Sequence, residues 1–304
     1  MRTGPVGFIG LGNMGSRISR HLVRKEYKVL GFDSRPGCAE AAGVRPAAGV
    51  AAVTDAADVV LLSLPDSRVV EAVMLGTDGL LARARRGQVV IDLSTSSPAS
   101  TRRLHDLLAE KGAVLLDAGI SGGASAAEAG TLTLMVGGDA AHLESVRDVL
   151  SCFAADIFHL GGSGAGHTAK LLNNFLNAVS LAATAEVMVA GKKAGLDLDV
   201  LLNVLNRSSG INYATTNRFP KIIKGDYLKG GLTNALMMKD VVLYGELVAR
   251  LGMSSLNAAG PLASFGLAIS LGYAGDISNR VVDAIGDISG GIRLHTGNDG
   301  EERT

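Results

Sequence analysis

The 304-residue sequence predicts an α/β domain built on a parallel sheet, followed by an all-α domain. Three observations carry this expectation. A short apolar run at 6–9 is followed by a glycine turn, a helical stretch, a second run and an acid at position 33. Apolar runs then alternate with helical stretches to about residue 160, and after Gly166 only helical patterns remain. Near-continuous apolar strands between helices indicate a parallel sheet covered on both faces. The expected division is 1–162 for the α/β domain, 163–292 for the helical domain and 293–304 for a polar tail.

The run at 6–9 leads into G-L-G-N-M-G, that is Gly10, Leu11, Gly12, Asn13, Met14 and Gly15. A helix follows, with Ile18, Leu22 and Val23 on one side, and then a second strand at 27–32 that ends in Asp33. This is the order of a dinucleotide-binding unit. Gly10 permits the tight turn, Gly12 lets a pyrophosphate approach the backbone, and Gly15 lets helix and strand pack closely. The helix N-terminus then offers the phosphates free N–H groups and the positive end of a dipole. A lone G-x-G-x-x-G is weak. Here strand, helix and an acid 18 residues after Gly15 supply the context. A carboxylate at this strand end accepts from the ribose hydroxyls and repels a 2′-phosphate, which favours NAD and disfavours NADP. Arg35 reads as an ordinary surface arginine.

The alternation continues with a strand at 58–64 that stops at Pro65, where Asp66 or Ser67 can cap the next helix. A strand at 88–93 is followed by S-T-S-S-P, with Ser97 as cap and Pro98 at the first helical position. Strands are expected at 113–116, 132–136 and 157–160, with a helix at 140–150. Ligands of such sheets sit at the carboxyl ends of the strands. Those ends carry 10–15, Leu64 with Pro65, Ser94 to Ser96, and 119–123. The last, D-A-G-I-S-G-G, suits a carboxylate with its hydroxyl and unhindered N–H groups, and is equally compatible with a plain glycine-rich turn.

The second half opens with a long helix at about 165–193. On it Lys170, Asn173, Asn174 and Asn177 lie three, four and seven residues apart, which places them on one face. The rest of the helix is apolar. A charged amine on a mostly buried helix is costly unless something uses it; a solvated face with one lysine is the other reading. Further helices are expected near 197–207, 216–223, 233–251, 257–271 and 278–285. A helix of about 29 residues spans roughly 43 Å. Partner chains covering it account most simply for that length, so a homodimer or homotetramer is expected.

Composition narrows the function classes. Lysine plus arginine equals aspartate plus glutamate at 29 each, so no global basic field favours nucleic acid or an anionic membrane. Six scattered histidines show no metal-ligand spacing, and no metal is expected. Cys38 and Cys152 fit a reducing cytoplasm better than a disulfide framework. No signal peptide is expected before the first strand, and no apolar run reaches the roughly 18 residues of a membrane span.

Five blocks in order resemble the β-hydroxyacid dehydrogenase family, which includes 3-hydroxyisobutyrate dehydrogenase and tartronate semialdehyde reductase. They are G-F-I-G-L-G-N-M-G at 7–15, D-L-S-T-S-S-P at 92–98, S-G-G at 121–123 with G-T-L-T-L-M-V-G-G at 130–138, G-x-G-x-x-x-K-x-x-N-N at 164–174, and K-D at 239–240. The resemblance implies a Rossmann domain and an all-helical domain with the active site between them. It implies that Gly10 to Gly15 and Asp33 bind the dinucleotide, that Leu64, Pro65 and Thr95 line it, and that Lys239 lies by it. Ser121, Gly122 and Gly123 then bind the carboxylate or hydroxyl end of the substrate, Asn174 holds it, and Lys170 is catalytic. Two departures stand out. Gly119 replaces the family's proline in D-A-P-V-S-G-G, which is expected to loosen that loop. Asn212 and Tyr213 stand where many relatives carry other side chains facing the substrate.

The implied reaction is hydride transfer between NAD and a small β-hydroxyacid, or reduction of the matching semialdehyde. A lysine can take the hydroxyl proton if burial lowers its pKa toward neutral. The related 6-phosphogluconate dehydrogenases carry a glutamate seven residues after the lysine, where Asn177 stands here. The alternatives are an imine reductase-like enzyme, a group that generally lacks this lysine, and a non-catalytic dinucleotide-binding protein.

Overall fold

The computed structural model describes residues 4–228 and 230–295. Most of the polar tail expected at 293–304 therefore lies outside the described residues. The chain forms two compact units, one ending at Leu171 and one beginning at Leu172. Among the described residues no helix is long and apolar enough to cross a membrane.

The first unit holds eight strands: β1 (Val6–Ile9), β2 (Val29–Phe32), β3 (Arg45–Pro46), β4 (Val59–Leu62), β5 (Val89–Asp92), β6 (Val114–Ser121), β7 (Leu132–Gly137) and β8 (Ala154–His159). Between them run α1 (Gly15–Arg24), α2 (Cys38–Ala42), α3 (Val50–Ala56), α4 (Ser67–Leu75), α5 (Leu80–Arg83), α6 (Pro98–Glu110), α7 (Gly123–Ala129) and α8 (Ala140–Leu150). The sheet order is β3-β2-β1-β4-β5-β6-β7-β8. Alternate strand residues supply opposite faces. Phe8, Leu61 and Ile91 enter one apolar core, with Ile18, Leu132 and Val146. Ile9, Leu62 and Val90 enter the other, with Val53, Val70 and Leu104. Burial on both faces is why these strands read as unbroken apolar runs.

The structure departs from the expected unit at several points. Val23 is exposed, while Ile18 and Leu22 carry the buried side of α1. Asp66, one of the two expected caps, does cap α4 by accepting from the Val69 N–H. Ser97 occupies the cap position of α6, but its side chain makes no capping bond. The sheet is parallel as expected except for the pairing of β6 with β7, which is antiparallel. The ten-residue link through α7 is shorter than the dozen or more that a parallel crossover needs, so the chain turns back instead.

The second unit is helical. The long helix α9 (Ala165–Lys193) enters it from the first unit, and α10 (Leu198–Asn206), α11 (Tyr213–Asn217), α12 (Phe219–Ile222), α13 (Asn234–Arg250), α14 (Ala259–Ser270) and α15 (Val281–Ile288) follow. A 3₁₀ turn, Ser278–Arg280, precedes α15. Phe175, Leu181, Met188, Phe219, Met237 and Phe265 belong to its single buried core. The one helix expected near 216–223 is two short ones that meet at Arg218. Pro220 cannot donate a backbone hydrogen bond and its ring crowds the preceding turn, so the first helix stops there.

Candidate active site

The glycine turn after β1 is closed by backbone contact. Gly10 has φ +91°, and a side chain there would strike the Ser63 carbonyl. A Cβ on Gly15 would overlap the Gly10 carbonyl oxygen. The atom nearest to a Cβ on Gly12 would be Arg35 Nη2, at 3.3 Å, so the backbone there is bare apart from a guanidinium. Asp33 ties the turn to β2: its Oδ2 accepts from the Leu11 N–H at 2.8 Å, and its Oδ1 accepts from the Arg35 N–H at 2.9 Å and Nε at 3.2 Å. Burial raises the Asp33 pKa, but the bonds from the Arg35 side chain, the Arg35 backbone and Leu11 outweigh it and hold the carboxyl below the usual range. Arg35 is exposed, as expected, yet it is the partner of Asp33 and no bystander. A bare glycine face, a helix start and an ionised acid at the strand end fit a dinucleotide.

The neighbouring strand ends are tied together. The Leu64 N–H donates to Ser94 Oγ at 2.9 Å, which joins the turn of Leu64 and Pro65 to the segment carrying Thr95. Buried Asp92 accepts from the Ser94 N–H and the Ser96 hydroxyl. Asp117, fully buried in β6, accepts from the Gly164 N–H at 2.8 Å and the His167 N–H at 2.7 Å, so it caps the start of α9. His167 is also fully buried. Its Nε2 faces the Asp92 carbonyl oxygen at 3.3 Å and its Nδ1 faces Thr101 Oγ1 at 2.7 Å.

Lys170 lies one turn beyond His167 on α9 and is buried. Gly119 packs against its stem. This residue is not in a loosened loop: it sits inside β6, paired with Met135 of β7. A Cβ there would stand 2.6 Å from Lys170 Cβ and 3.0 Å from its Cγ. Ser121 ends β6, Gly122 (φ +117°) caps α7 and Gly123 begins it.

In the second unit Asn174 is buried, and its Nδ2 donates to Asp240 Oδ2. Asp240 is fully buried, and Lys239 Nζ lies 3.1 Å from its Oδ1. Of the expected polar stripe, Lys170 and Asn174 are buried and Asn177 half-buried, whereas Asn173 is exposed and donates to Asn174 Oδ1. Asn212 is the cap of α11, accepting from the Ala214 and Thr215 N–H groups, while Tyr213 is exposed. Sequence reasoning missed Asp92, Asp117, His167 and Asp240. Their signals were present: acids at the ends of apolar strands, and the aspartate of the K-D pair.

Residues 5–161 match the family described as the NAD binding domain of 6-phosphogluconate dehydrogenase. Residues 164–276 match that of the NAD-binding region of NADP-dependent 3-hydroxyisobutyrate dehydrogenase. The NAD-dependent L-serine dehydrogenase of Pseudomonas aeruginosa is 39% identical over 279 residues, 88% of this chain and 93% of the relative. The 2-(hydroxymethyl)glutarate dehydrogenase of Eubacterium barkeri is 38% identical over 241 residues, 78% of this chain and 80% of the relative. A structure of 3-hydroxyisobutyrate dehydrogenase from Mycobacterium tuberculosis with L-serine superposes with TM-score 0.82 at 33% identity, covering 94% of this chain and 99% of the other. These relationships favour a hydroxyacid dehydrogenase over the imine reductase and non-catalytic readings. With the dinucleotide turn, Asp33 and the lysine helix in place, the chain belongs to the β-hydroxyacid dehydrogenase family, NAD-dependent oxidoreductases that act on the hydroxyl group of small hydroxyacids.

Proposed function

We propose that this protein oxidises a short β-hydroxyacid, or reduces the matching semialdehyde, with Lys170 moving the proton. The carrying observation is a lysine buried on a helix start that is anchored to the sheet by Asp117 and His167, with Asn174 one turn further on. NAD supplies the hydride acceptor when bound. Gly10, Leu11, Gly12, Asn13, Met14 and Gly15 form its phosphate turn, and Asp33 takes the ribose hydroxyls. Leu64, Pro65, Thr95 and Lys239 complete the cofactor's surroundings in this reading. Ser121, Gly122 and Gly123 take the substrate carboxylate. Asn174 donates to the substrate oxygen through the N–H that Asp240 does not use. Lys170 Nζ accepts the hydroxyl proton in oxidation and returns it to the carbonyl oxygen in reduction. In this reading residues 1–162 form the NAD-binding domain and 163–292 the all-helical domain.

The test is turnover and NAD affinity of wild type, Lys170→Ala and Lys170→Arg across pH. The Ala variant should lose roughly 10²–10⁴ in kcat, the usual worth of general acid–base catalysis, with NAD binding little changed. The Arg variant should fail nearly as badly, because a guanidinium stays protonated. In the oxidation direction the wild-type rate should rise with pH through one ionisation absent from the Ala variant. An Ala variant that keeps more than a tenth of wild-type kcat refutes the proton role.

A further inference from the structure

Arg218 stands apart among the arginines of the second unit. The half-buried ones are Arg218, Arg280 and Arg293 among the described residues. Arg280 faces Asp283 at 3.1 Å, and Arg293 faces Asp287. Arg218 has no carboxylate within 4 Å among the described residues. Its Nη1 donates to Asn279 Oδ1 at 2.7 Å and its Nη2 to Asn177 Oδ1 at 2.9 Å, and its guanidinium lies 5.8 Å from the exposed Tyr213 ring. Burial pulls its pKa below the ordinary arginine value, only partly offset by Tyr213. A guanidinium nevertheless stays charged at any working pH.

A half-buried charge held, among the described residues, by two neutral amides and an aromatic ring is stabilised when an anion completes it. A guanidinium carries five N–H donors, and two are spent on Asn177 and Asn279. The remaining three keep the planar fork that matches a carboxylate with two parallel bonds. Position matters as well. Asn177 lies three residues beyond Asn174 on α9, about 4.5 Å along the helix axis. The two amides fix Arg218 there, and the break before Pro220 puts it at the junction of α11 and α12.

From this placement we infer that Arg218 binds a second carboxylate, at the end of the hydroxyacid remote from the reacting hydroxyl, and so selects β-hydroxy dicarboxylic acids. The inference rests on the reaction proposed above. Asn174 holds the reacting end, and a chain of two or three carbons carries the second carboxylate along the helix to the fork. Asn177 and Asn279 act as positioning residues that hold the fork without neutralising it.

The experiment compares two alcohols with the same reacting end, HOCH₂–CH(R)–COO⁻. One is 3-hydroxyisobutyrate, where R is methyl, and the other is 2-(hydroxymethyl)glutarate, where R ends in a carboxylate. Wild type should favour the dicarboxylate by at least tenfold in kcat/KM. Arg218→Met should cut that ratio by 30-fold or more, mainly through KM, and Arg218→Lys should restore part of it, because a single ammonium keeps the charge but not the fork. Melting temperatures of both variants show whether they are folded. Equal ratios in wild type and Arg218→Met, with both substrates weakened alike, would make Arg218 a structural bracket and overturn the inference. So would a wild type that oxidises 3-hydroxyisobutyrate as well as or better than the dicarboxylate, a result that leaves the proposed reaction standing. Oxidation of neither compound overturns the proposed reaction itself, and this inference with it.

Discussion

In the proposed reading a single residue, Asp33, sets the cofactor preference. Both its oxygens are occupied, one by the Leu11 N–H of the glycine turn and one by Arg35. A carboxylate at this strand end repels a 2′-phosphate. Wild type should therefore use NAD over NADP by tenfold or more in kcat/KM, about 1.4 kcal/mol. Asp33→Ser should narrow that gap, since Arg35 then faces a phosphate without competition. Equal efficiency of wild type with the two cofactors would refute this. The pH dependence has a definite sign. A carboxyl whose folded-state pKa is depressed stabilises above its unfolded pKa, and that contribution is lost as pH falls through the folded value. The clamp between turn and β2 is thus intact at neutral pH, and its contribution to NAD binding should fade only on acidification below the usual carboxylate range.

At the scale of the element, the start of α9 is the structure on which the lysine depends. A helix N-terminus presents N–H groups with no intrahelical partner. Asp117 satisfies two of them from the neighbouring strand, and His167 links the same turn to the Asp92 carbonyl. Asp117→Asn offers one acceptor oxygen to two buried donors and turns an N–H group toward one of them. An unsatisfied buried donor costs about 1–3 kcal/mol. For a protein of this size that corresponds to a melting temperature lower by roughly 2–5 °C. kcat should fall as well, because Lys170 is carried on the turn that loosens. Thermal melts and steady-state rates of Asp117→Asn measure both, and a variant unchanged in both would show that the cap does not hold the helix.

On the scale of the whole molecule, α9 exposes apolar side chains outside the buried core. Leu172, Leu176 and Val187 are exposed, as are Val200 and Val204 on α10. Apolar surface gathered on a long helix is characteristic of an interface between copies. We propose a homodimer or homotetramer. Light scattering at micromolar concentration should give a mass of at least twice the 31.1 kDa of one chain. A monomer would contradict it, and Leu176→Glu should shift the mass toward that of the monomer.

Much of this was legible in the chain itself because the responsible physics is local. The glycines at 10, 12 and 15 with Asp33 reveal a dinucleotide turn, since backbone approach and helix start are encoded within thirty residues. Unbroken apolar strands announce a sheet buried on both faces, and the spacing of Lys170 and Asn174 places them on one helix face without reference to the rest of the fold. Other features needed distant segments to meet. The reversal at β7 depends on how far a ten-residue link can reach. Gly119 looked like a loosened loop until β6 and α9 came within contact of each other. Asp117 and His167 lie fifty residues apart in sequence, and Arg218 reads as any surface arginine until Asn177 and Asn279 close on it. Periodicity records which face a residue occupies. Which groups then share a buried space, and which charge is left without its opposite, is decided only when the chain has folded.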